Sequence, residues 1–330
     1  MENLKMSLEL INNSFDTSWP FISIIIPALN EQDHIESTLK CLNQSDYPRS
    51  RFETIVVDNG STDNTREISE KYASKCLILE KGNVGAVRNY GAKQARGSVL
   101  AFLDADCQVS SDWLNNIKNL LQENSDSVFG GTCILADNSN WIERCWILGD
   151  AQRKQSDLVG ASIATKTSIF WSAGGFSEDI TSGEDTELSS RLRLKKIPVI
   201  ITPLLSVKHS GNAKTIIAFI RRQIWHSENY LVNIKSSLKD PTFILCLTAL
   251  FFMALTPMLA LYSYSSSFLS ILIFFGISAL FSAKRLIYAK TKPSNIEAFM
   301  KIYLLDIIYV TARSIGIMKS LFRIIKNSKK

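Results

Sequence analysis

Apolar runs and polar turns alternate along the first hundred residues of the chain. A continuous apolar run at 99–103 is typical of a strand that is buried on both faces of a parallel sheet, and the apolar run at 21–26 is broken only by Ser23. Between the runs, apolar residues recur at helical spacing, as at Ile35, Leu39 and Leu42. The alternation predicts βαβ units and a mainly parallel α/β sheet, with Pro27 ending the first strand. The predicted strands are 21–26, 54–57, 76–79 and 99–103, and the predicted helices are about 31–42, 64–73 and a third that ends at 95.

A different pattern begins at residue 242. Residues 242–283 include no charged side chain, and a membrane helix needs about 20 apolar residues. We therefore expect a transmembrane helical hairpin with spans at about 242–262 and 267–283. The alternative is a hairpin buried in a soluble protein, which rarely contains so long a charge-free stretch.

Basic residues on both sides of this stretch predict its orientation. The connecting turn has no Lys or Arg, and the flanking basic residues are Lys235, Lys239, Lys284, Arg285, Lys290 and Lys292. By the positive-inside rule, both ends of the hairpin and the large α/β domain then lie in the cytoplasm.

A third apolar stretch, 302–318, contains Asp306 and Arg313. We expect a helix at about 296–320 that lies in the membrane interface, with a third span as the less favoured reading. The predicted domains are thus a leader at 1–20, an α/β domain at 21–240 and membrane-anchoring helices at 241–330. The leader contains acids and lacks a long apolar core, so it is not a secretory signal.

The charge distribution argues against a nucleic-acid-binding protein, and the cysteine spacing argues against a zinc-binding protein. The chain has 330 residues and a formal net charge of +6, and no basic block is interleaved with aromatic residues, so we expect no nucleic-acid partner. Its six cysteines include no Cys-x-x-Cys pair and have no zinc-like spacing to histidine. We expect reduced thiols in a cytosolic domain.

Polar residues follow each predicted strand where ligands bind in open α/β sheets, beyond the carboxyl ends of the strands. Asp104 and Asp106 come directly after the last strand, and such carboxylates can hold a hard divalent cation that neutralises a diphosphate. Each loop also has a simpler explanation: Asp58 and Asp63 suit turns and helix caps. Arg88 suits a solvated helix face.

Four segments together resemble the family 2 glycosyltransferases, an inverting group with the GT-A fold. They are VVDNGSTDNT, GNVGAVRNYGAKQARG, FLDADC and GGFSEDITSGEDTELSSRL, and the likeness covers about 22–211. The resemblance implies a Rossmann-like nucleotide-diphospho-sugar transferase domain that uses a nucleotide-sugar donor. It also implies that Asp58 contacts the nucleotide base, and that Pro27, Asn30, Glu31 and Asp63 belong to the nucleotide pocket.

The same resemblance assigns the metal and diphosphate residues. Asp106 would bind Mg²⁺ or Mn²⁺, and Asp104 would contact the ribose, the metal or a metal-bound water. Arg88 would lie near the diphosphate or the sugar, which suits a guanidinium. His209 would complete the metal site, although a structural histidine is an equally good interpretation.

The acidic pair Glu184 and Asp185 follows Gly183, and Asp185 matches the catalytic base of the family, with Glu184 as the next candidate. A positioned carboxylate can accept the proton that an acceptor hydroxyl loses during attack. The alternative for Asp185 is that it caps a helix at 186–194.

These expectations combine into a membrane-anchored, metal-dependent inverting glycosyltransferase at the cytoplasmic face of the inner membrane. Its acceptor would be lipid-linked or a surface glycan. Processive synthases of the family carry Gln-x-x-Arg-Trp before their membrane helices, whereas residues 221–226 read RRQIWH, which favours transfer of single sugars. Two alternatives stay open: a metal-dependent nucleotidyltransferase and a non-catalytic membrane scaffold of the same fold.

Overall fold

The computed structural model describes residues 19–136, 139–148, 156–228, 230–231, 234–289 and 292–327. Residues 1–18 of the predicted leader and Lys290 lie outside the described residues. The described chain packs as two compact units. The first comprises 19–134 and 156–211, and the second comprises 135–148 and 212–327 with the gaps just given.

Strands and helices are numbered in chain order. The strands are β1 Ile22–Ala28, β2 Phe52–Asp58, β3 Lys75–Ile78, β4 Val99–Leu103, β5 Cys107–Gln108, β6 Val128–Gly130, β7 Cys133–Leu135, β8 Ser162–Lys166, β9 Val199–Ile201 and β10 Val207–His209. The helices of the first unit are α1 Ile35–Asn43, α2 Thr65–Tyr72, α3 Val84–Lys93, α4 Trp113–Glu123, α6 Thr167–Ala173 and α7 Glu184–Leu194. Those of the second unit are α5 Trp141–Trp146, α8 Ile216–Ser227, α9 Ile234–Ser237, α10 Pro241–Ala260, α11 Tyr264–Ala289 and α12 Ile296–Asn327. Short 3₁₀ turns occur at Arg49–Arg51 and Pro203–Leu205.

A seven-stranded sheet in the order β3-β2-β1-β4-β8-β6-β9 forms the centre of the first unit. β3, β2, β1 and β4 run parallel, whereas β8 is antiparallel to both β4 and β6. Every residue of β2 and β4 is buried, as expected for strands covered on both faces. The predicted mainly parallel α/β sheet is confirmed.

Two apolar clusters fill the faces of this sheet, because successive side chains of a strand point to opposite sides. Ile24 and Ile26 belong to the cluster that includes Trp113. Ile25 belongs to the cluster that includes Phe102 and Phe176. A small second sheet has the strand order β5-β10-β7, and its strand β5 consists of the two residues that follow Asp106.

The first strand does not end at Pro27, as the sequence predicts, but continues to Ala28. The carbonyl of Ala28 accepts a hydrogen bond from the backbone N–H of Asn59, which follows β2. Neighbouring residues of a strand point their backbone groups to opposite sides, so the nitrogen of Pro27 faces β4. The ladder with β4 ends at Ile25, and the missing N–H of Pro27 therefore removes no bond from it.

In the second unit, α10 and α11 pack against each other as a helical pair. They are long and apolar enough to cross a membrane: mean hydropathy is 2.3 for Pro241–Ala260 and 2.0 for Tyr264–Ile287. In the most apolar 18-residue stretch of each helix, only 17% (α10) and 28% (α11) of the residues are buried. The core helix of a soluble protein would be mostly buried.

α12 packs against α8, α10 and α11, and two of its charged residues, Asp306 and Arg313, make hydrogen bonds within this unit. Asp306 is fully buried and accepts hydrogen bonds from Ser282 and Arg285. Arg313 donates hydrogen bonds to Gln223 and to the hydroxyl of Tyr230. Asp306 and Arg313 therefore stabilise helix packing in this unit.

Candidate active site

Two turns meet where β1 and β2 end. Asp58 closes β2, is buried, and accepts hydrogen bonds from the backbone N–H of Ser61. Asn30 has a left-handed backbone conformation (φ 56°), which asparagine tolerates well. Its side-chain oxygen accepts from the backbone N–H of Thr62 at 2.8 Å. The structure therefore brings Asn30, next to Pro27 and Glu31, together with Asp58.

Asp63 organises the start of α2. Its carboxylate accepts hydrogen bonds from the backbone N–H groups of Thr65 and Gln32, at 3.0 and 3.3 Å. Desolvation raises the pKa of Asp63, but these hydrogen bonds and that of the Thr65 hydroxyl outweigh it and lower the pKa. The backbone N–H of Glu31 in turn donates to the Thr65 hydroxyl at 2.7 Å. Asp63 thus holds the turn that precedes α2, in line with its simpler explanation, although the N-cap of the helix is Asn64. Its contact with a nucleotide stays a prediction.

The glycine-rich segment 82–91 forms the start and most of α3. Asn83 caps the helix by accepting from the backbone N–H of Ala86 at 2.8 Å. A methyl group at Gly85 would lie 2.2 Å from the carbonyl oxygen of Ser177, and one at Gly91 would lie 2.7 Å from Ile25. Both glycines therefore allow close approach, of a loop in one case and of the sheet in the other.

Arg88 joins two acidic motifs that are far apart in sequence. Its guanidinium donates to Asp104 at 2.6 Å and also to Glu184. The Arg88 side chain is 3% exposed, against 7% for Glu184 and 29% for Asp104. Arg88 is therefore a buried bridge and not the solvated helix residue of its simpler explanation.

This bridge controls the charge of its members. Burial favours the neutral form of Arg88, but Asp104, Glu184 and Asp185 outweigh burial and raise the pKa of the guanidinium. Burial also raises the pKa of the Glu184 carboxyl, and the charge of Arg88 opposes that rise without cancelling it. Arg88 thus stays cationic and holds Glu184 in place.

Asp185 lies in the first turn of α7, which begins at Glu184 after Gly183 with φ 81°. One carboxylate oxygen accepts from the backbone N–H of Gly160 at 2.9 Å, and the other accepts from that of Thr186 at 2.7 Å. The N-cap of α7 is Gly183, which has no capping side chain. Asp185 is therefore not the N-cap, and the hydrogen bonds from Gly160 and Thr186 fix the direction of its carboxylate.

Asp106, Cys107 and His209 form the cluster that could hold a metal ion among the residues the structure describes. Their ligand atoms lie within 4.8 Å of one another, with His209 Nε2 3.5 Å from Asp106 Oδ2. Cys107 pairs with His209 in the β5–β10 ladder. Burial, reinforced by the charges of Asp106 and Asp104, raises the pKa of the Cys107 thiol, which makes it a weak metal ligand.

A carboxylate with an adjacent imidazole fits a divalent cation. Gly211 contributes to this geometry, because a methyl group there would lie 1.8 Å from Asp106 Oδ2. The structure brings Asp106 and His209 together as predicted, but Asp104 is engaged with Arg88 and is not part of the cluster. The roles of these residues towards a metal stay predictions.

Sequence reasoning missed three residues of this region. The sequence predicts only a reduced thiol at Cys107, and it predicts no role for Gly160 or Asn89. No local pattern indicates the contact of Gly160 with Asp185 or of Cys107 with His209, because each is made between distant segments. For Asn89, the one signal in the sequence is its position next to Arg88 in the glycine-rich motif.

The fold and the acidic motifs at the end of its sheet define the class of protein, and comparison with known proteins agrees. Residues 23–170 match the family described as "Glycosyl transferase family 2", so this part of the chain is a family 2 glycosyltransferase domain. Glycosyltransferase AglE of Haloferax volcanii is 30% identical over 186 residues, which cover 52% of this chain and 61% of the relative. Beta-monoglucosyldiacylglycerol synthase of Nostoc sp. is 27% identical over 237 residues, covering 64% of this chain and 50% of the relative. The chain thus spans only part of the length of these relatives.

A solved structure has the same fold. Mannosyltransferase PcManGT from Pyrobaculum calidifontis, in complex with GDP-Man and Mn²⁺, superposes with a TM-score of 0.58 and 19% sequence identity, covering 91% of this chain and 87% of that one. The expected GT-A fold is therefore confirmed.

Proposed function

We propose that this chain is an inverting glycosyltransferase that moves a sugar from a nucleotide-diphosphate sugar to a hydroxyl acceptor. The observation that carries the proposal is the Arg88 bridge, which brings the Asp104-Ala105-Asp106 segment and the Glu184-Asp185 pair to one place. Because Arg88 joins the two segments, the residues proposed to bind the donor lie close to the residue proposed to accept the proton of the acceptor. The family domain at 23–170 supports the same activity.

Asp185 is the proposed catalytic base. The acceptor oxygen attacks the anomeric carbon, the bond from that carbon to the diphosphate oxygen breaks, and the hydroxyl proton passes to Asp185. Attack from the side opposite the leaving group inverts the anomeric carbon in a single displacement. The hydrogen bonds from Gly160 and Thr186 keep the carboxylate aimed in one direction before the substrate binds.

Asp106 and His209 are the proposed ligands of a divalent cation. A carboxylate suits Mg²⁺ or Mn²⁺, and an imidazole suits transition metals, so the pair favours Mn²⁺. When bound, such an ion offsets negative charge on a diphosphate. PcManGT was solved with Mn²⁺, which supports this choice.

We further propose that α10 and α11 anchor the chain in a membrane, with the α/β domain on the cytoplasmic side. The exposed apolar side chains of both helices support this, including Phe251 at 60% and Phe268 at 62% exposure. The basic flanks support the orientation. A lipid-linked or glycan acceptor at the membrane face fits this placement, and the name of the Nostoc relative describes synthesis of a glucosylated diacylglycerol by that protein.

Release of nucleoside diphosphate from a panel of donors tests the proposed activity. The full chain in lipid nanodiscs would be incubated with Mn²⁺ and UDP-glucose, UDP-N-acetylglucosamine or GDP-mannose. We expect at least one donor to be turned over, and Asp185→Asn to lower that rate about a hundredfold or more while donor affinity is unchanged. Asp179→Asn, an exposed acid of the preceding loop, is the matched control and should keep the wild-type rate. Absence of turnover with every donor, or a normal rate for Asp185→Asn, would contradict the proposal.

A further inference from the structure

Asn89 is buried on α3 beside Arg88, and all the described hydrogen bonds of its side chain go to the segment 176–178. Its side-chain nitrogen donates to the carbonyl of Phe176 at 2.9 Å, and its oxygen accepts from the Phe176 backbone N–H at 2.9 Å. The same nitrogen donates to the Glu178 carboxylate at 2.8 Å. Asn89 is 3% exposed, so it is a fixed part of the interior.

Close packing of the backbone accompanies these bonds. Asn83, six residues earlier on the same segment, donates from its side chain to the carbonyl of Glu178 at 2.5 Å. Gly85 lies under the carbonyl of Ser177, where any side chain would collide. Gly175 has φ 68°, and a methyl group there would lie 2.8 Å from Asn89 Oδ1. The segment 175–178 is therefore anchored on α3 along its length.

Phe176 transmits the effect of Asn89 to the acidic pair. Its ring packs edge-on against Phe102, with 5.0 Å between ring centres. The guanidinium carbon of Arg88 lies 5.4 Å from the centre of the Phe176 ring. Since Asn89 holds the Phe176 backbone, it fixes one wall of the space in which Arg88 reaches Glu184.

We propose that Asn89 is a positioning residue: it anchors the segment 175–178 on α3, and through Phe176 and Arg88 it sets the place of Glu184 and Asp185. This inference rests on the proposed function. Asn89 touches no substrate in this role, and the glycine-rich segment 82–91 serves as an anchor for the loop that carries the base. A misplacement of about 1 Å can lower a rate about a hundredfold, so the anchor affects turnover more than donor binding.

The test uses three variants of the full chain in nanodiscs. Asn89→Asp keeps the size of the side chain but turns the donor nitrogen into an oxygen that faces the Phe176 carbonyl and the Glu178 carboxylate. Glu178→Ala removes one of the three bonds at an exposed position, so it folds even where Asn89→Asp does not. Asn43→Ala is the control, because Asn43 also donates from its side chain to a backbone carbonyl, that of Tyr72 at 3.3 Å, away from the site.

Amide hydrogen exchange gives a readout that does not depend on activity. We expect exchange within 175–178 to accelerate in Asn89→Asp, to accelerate less in Glu178→Ala, and to stay at the wild-type rate in Asn43→Ala. Unchanged exchange in Asn89→Asp would overturn the anchor. A wild-type protein that turns over no donor would defeat the proposed function, and exchange would still decide whether Asn89 anchors the segment.

Kinetics separate positioning from simple loss of stability. With a donor that the wild-type protein turns over, we expect Asn89→Asp to lower kcat about tenfold to a hundredfold and to change KM less than about threefold. Combined with Arg88→Lys, the losses in kcat should be less than multiplicative, because both act through the same contact. A kcat within twofold of wild type, or losses that multiply fully, would overturn the proposal.

Discussion

Arg88→Met removes the charge that joins Asp104 and Glu184 while it keeps a long side chain in place. The structure gives the expected size of the effect, because the Arg88 and Glu184 side chains are only 3% and 7% exposed. Removal of one partner of a buried ion pair costs about 3–5 kcal/mol, since the other charge is left without compensation. For a unit of this size, each kcal/mol lowers Tm by about 2–4 °C, so we expect a fall of about 6–20 °C for the first unit.

The pH dependence of this loss has a definite sign. Burial already raises the folded-state pKa of Glu184 above its ordinary value of 4.5, and Arg88→Met removes the charge that opposes the rise. A carboxyl with a raised folded-state pKa favours the folded state at low pH and destabilises it as pH rises through that pKa. The difference in stability between wild type and variant should therefore widen as pH rises above the ordinary carboxyl pKa of 4.5.

Thermal unfolding followed by circular dichroism measures both effects. Arg66→Met is the matched control, because Arg66 and Glu70 form an ion pair whose side chains are 54% and 53% exposed. Loss of an exposed pair costs less than about 1 kcal/mol. The reasoning is refuted if Arg88→Met lowers Tm no more than Arg66→Met, or if the difference from wild type shrinks as pH rises.

Three further predictions concern the metal ligands and the membrane. Asp106→Ala should abolish Mn²⁺-dependent donor binding in calorimetry, because a hard cation loses an oxygen ligand; unchanged affinity would exclude Asp106 as a ligand. Gly211→Ala should weaken Mn²⁺ binding about tenfold or more, since its methyl group would displace the Asp106 carboxylate, and wild-type affinity would show that the carboxylate can move without loss. A cysteine introduced by Ser265→Cys, in the first turn of α11 and close to the connection with α10, should react with an impermeant thiol reagent applied outside intact cells. Labelling that occurs only after lysis would reverse the proposed orientation.

Much of the first unit can be predicted from local patterns. The apolar run at 99–103 coincides with β4, because a strand that is buried on both faces has apolar side chains at nearly every position. The apolar stretch from 242 likewise coincides with the α10–α11 pair, although α11 starts at Tyr264 and continues past Lys284 and Arg285. The end of β1 could not be predicted in this way, because the effect of Pro27 depends on whether β4 still needs a hydrogen bond there.

The chemical types at the site could also be predicted from the chain: carboxylates after parallel strands suggest a metal site by themselves, and the resemblance to the family 2 glycosyltransferases indicates a role for the Glu184-Asp185 pair. Their partners were not readable. Arg88 and Glu184 are 96 residues apart, and the contacts of Asp106 with His209 and of Asp185 with Gly160 also join distant segments. Residue type and spacing predict the local conformation of a segment. These contacts depend instead on how the strand order of the sheet brings distant segments together. The tertiary structure alone therefore decided that Arg88 is a buried bridge and that Asn89 faces Phe176.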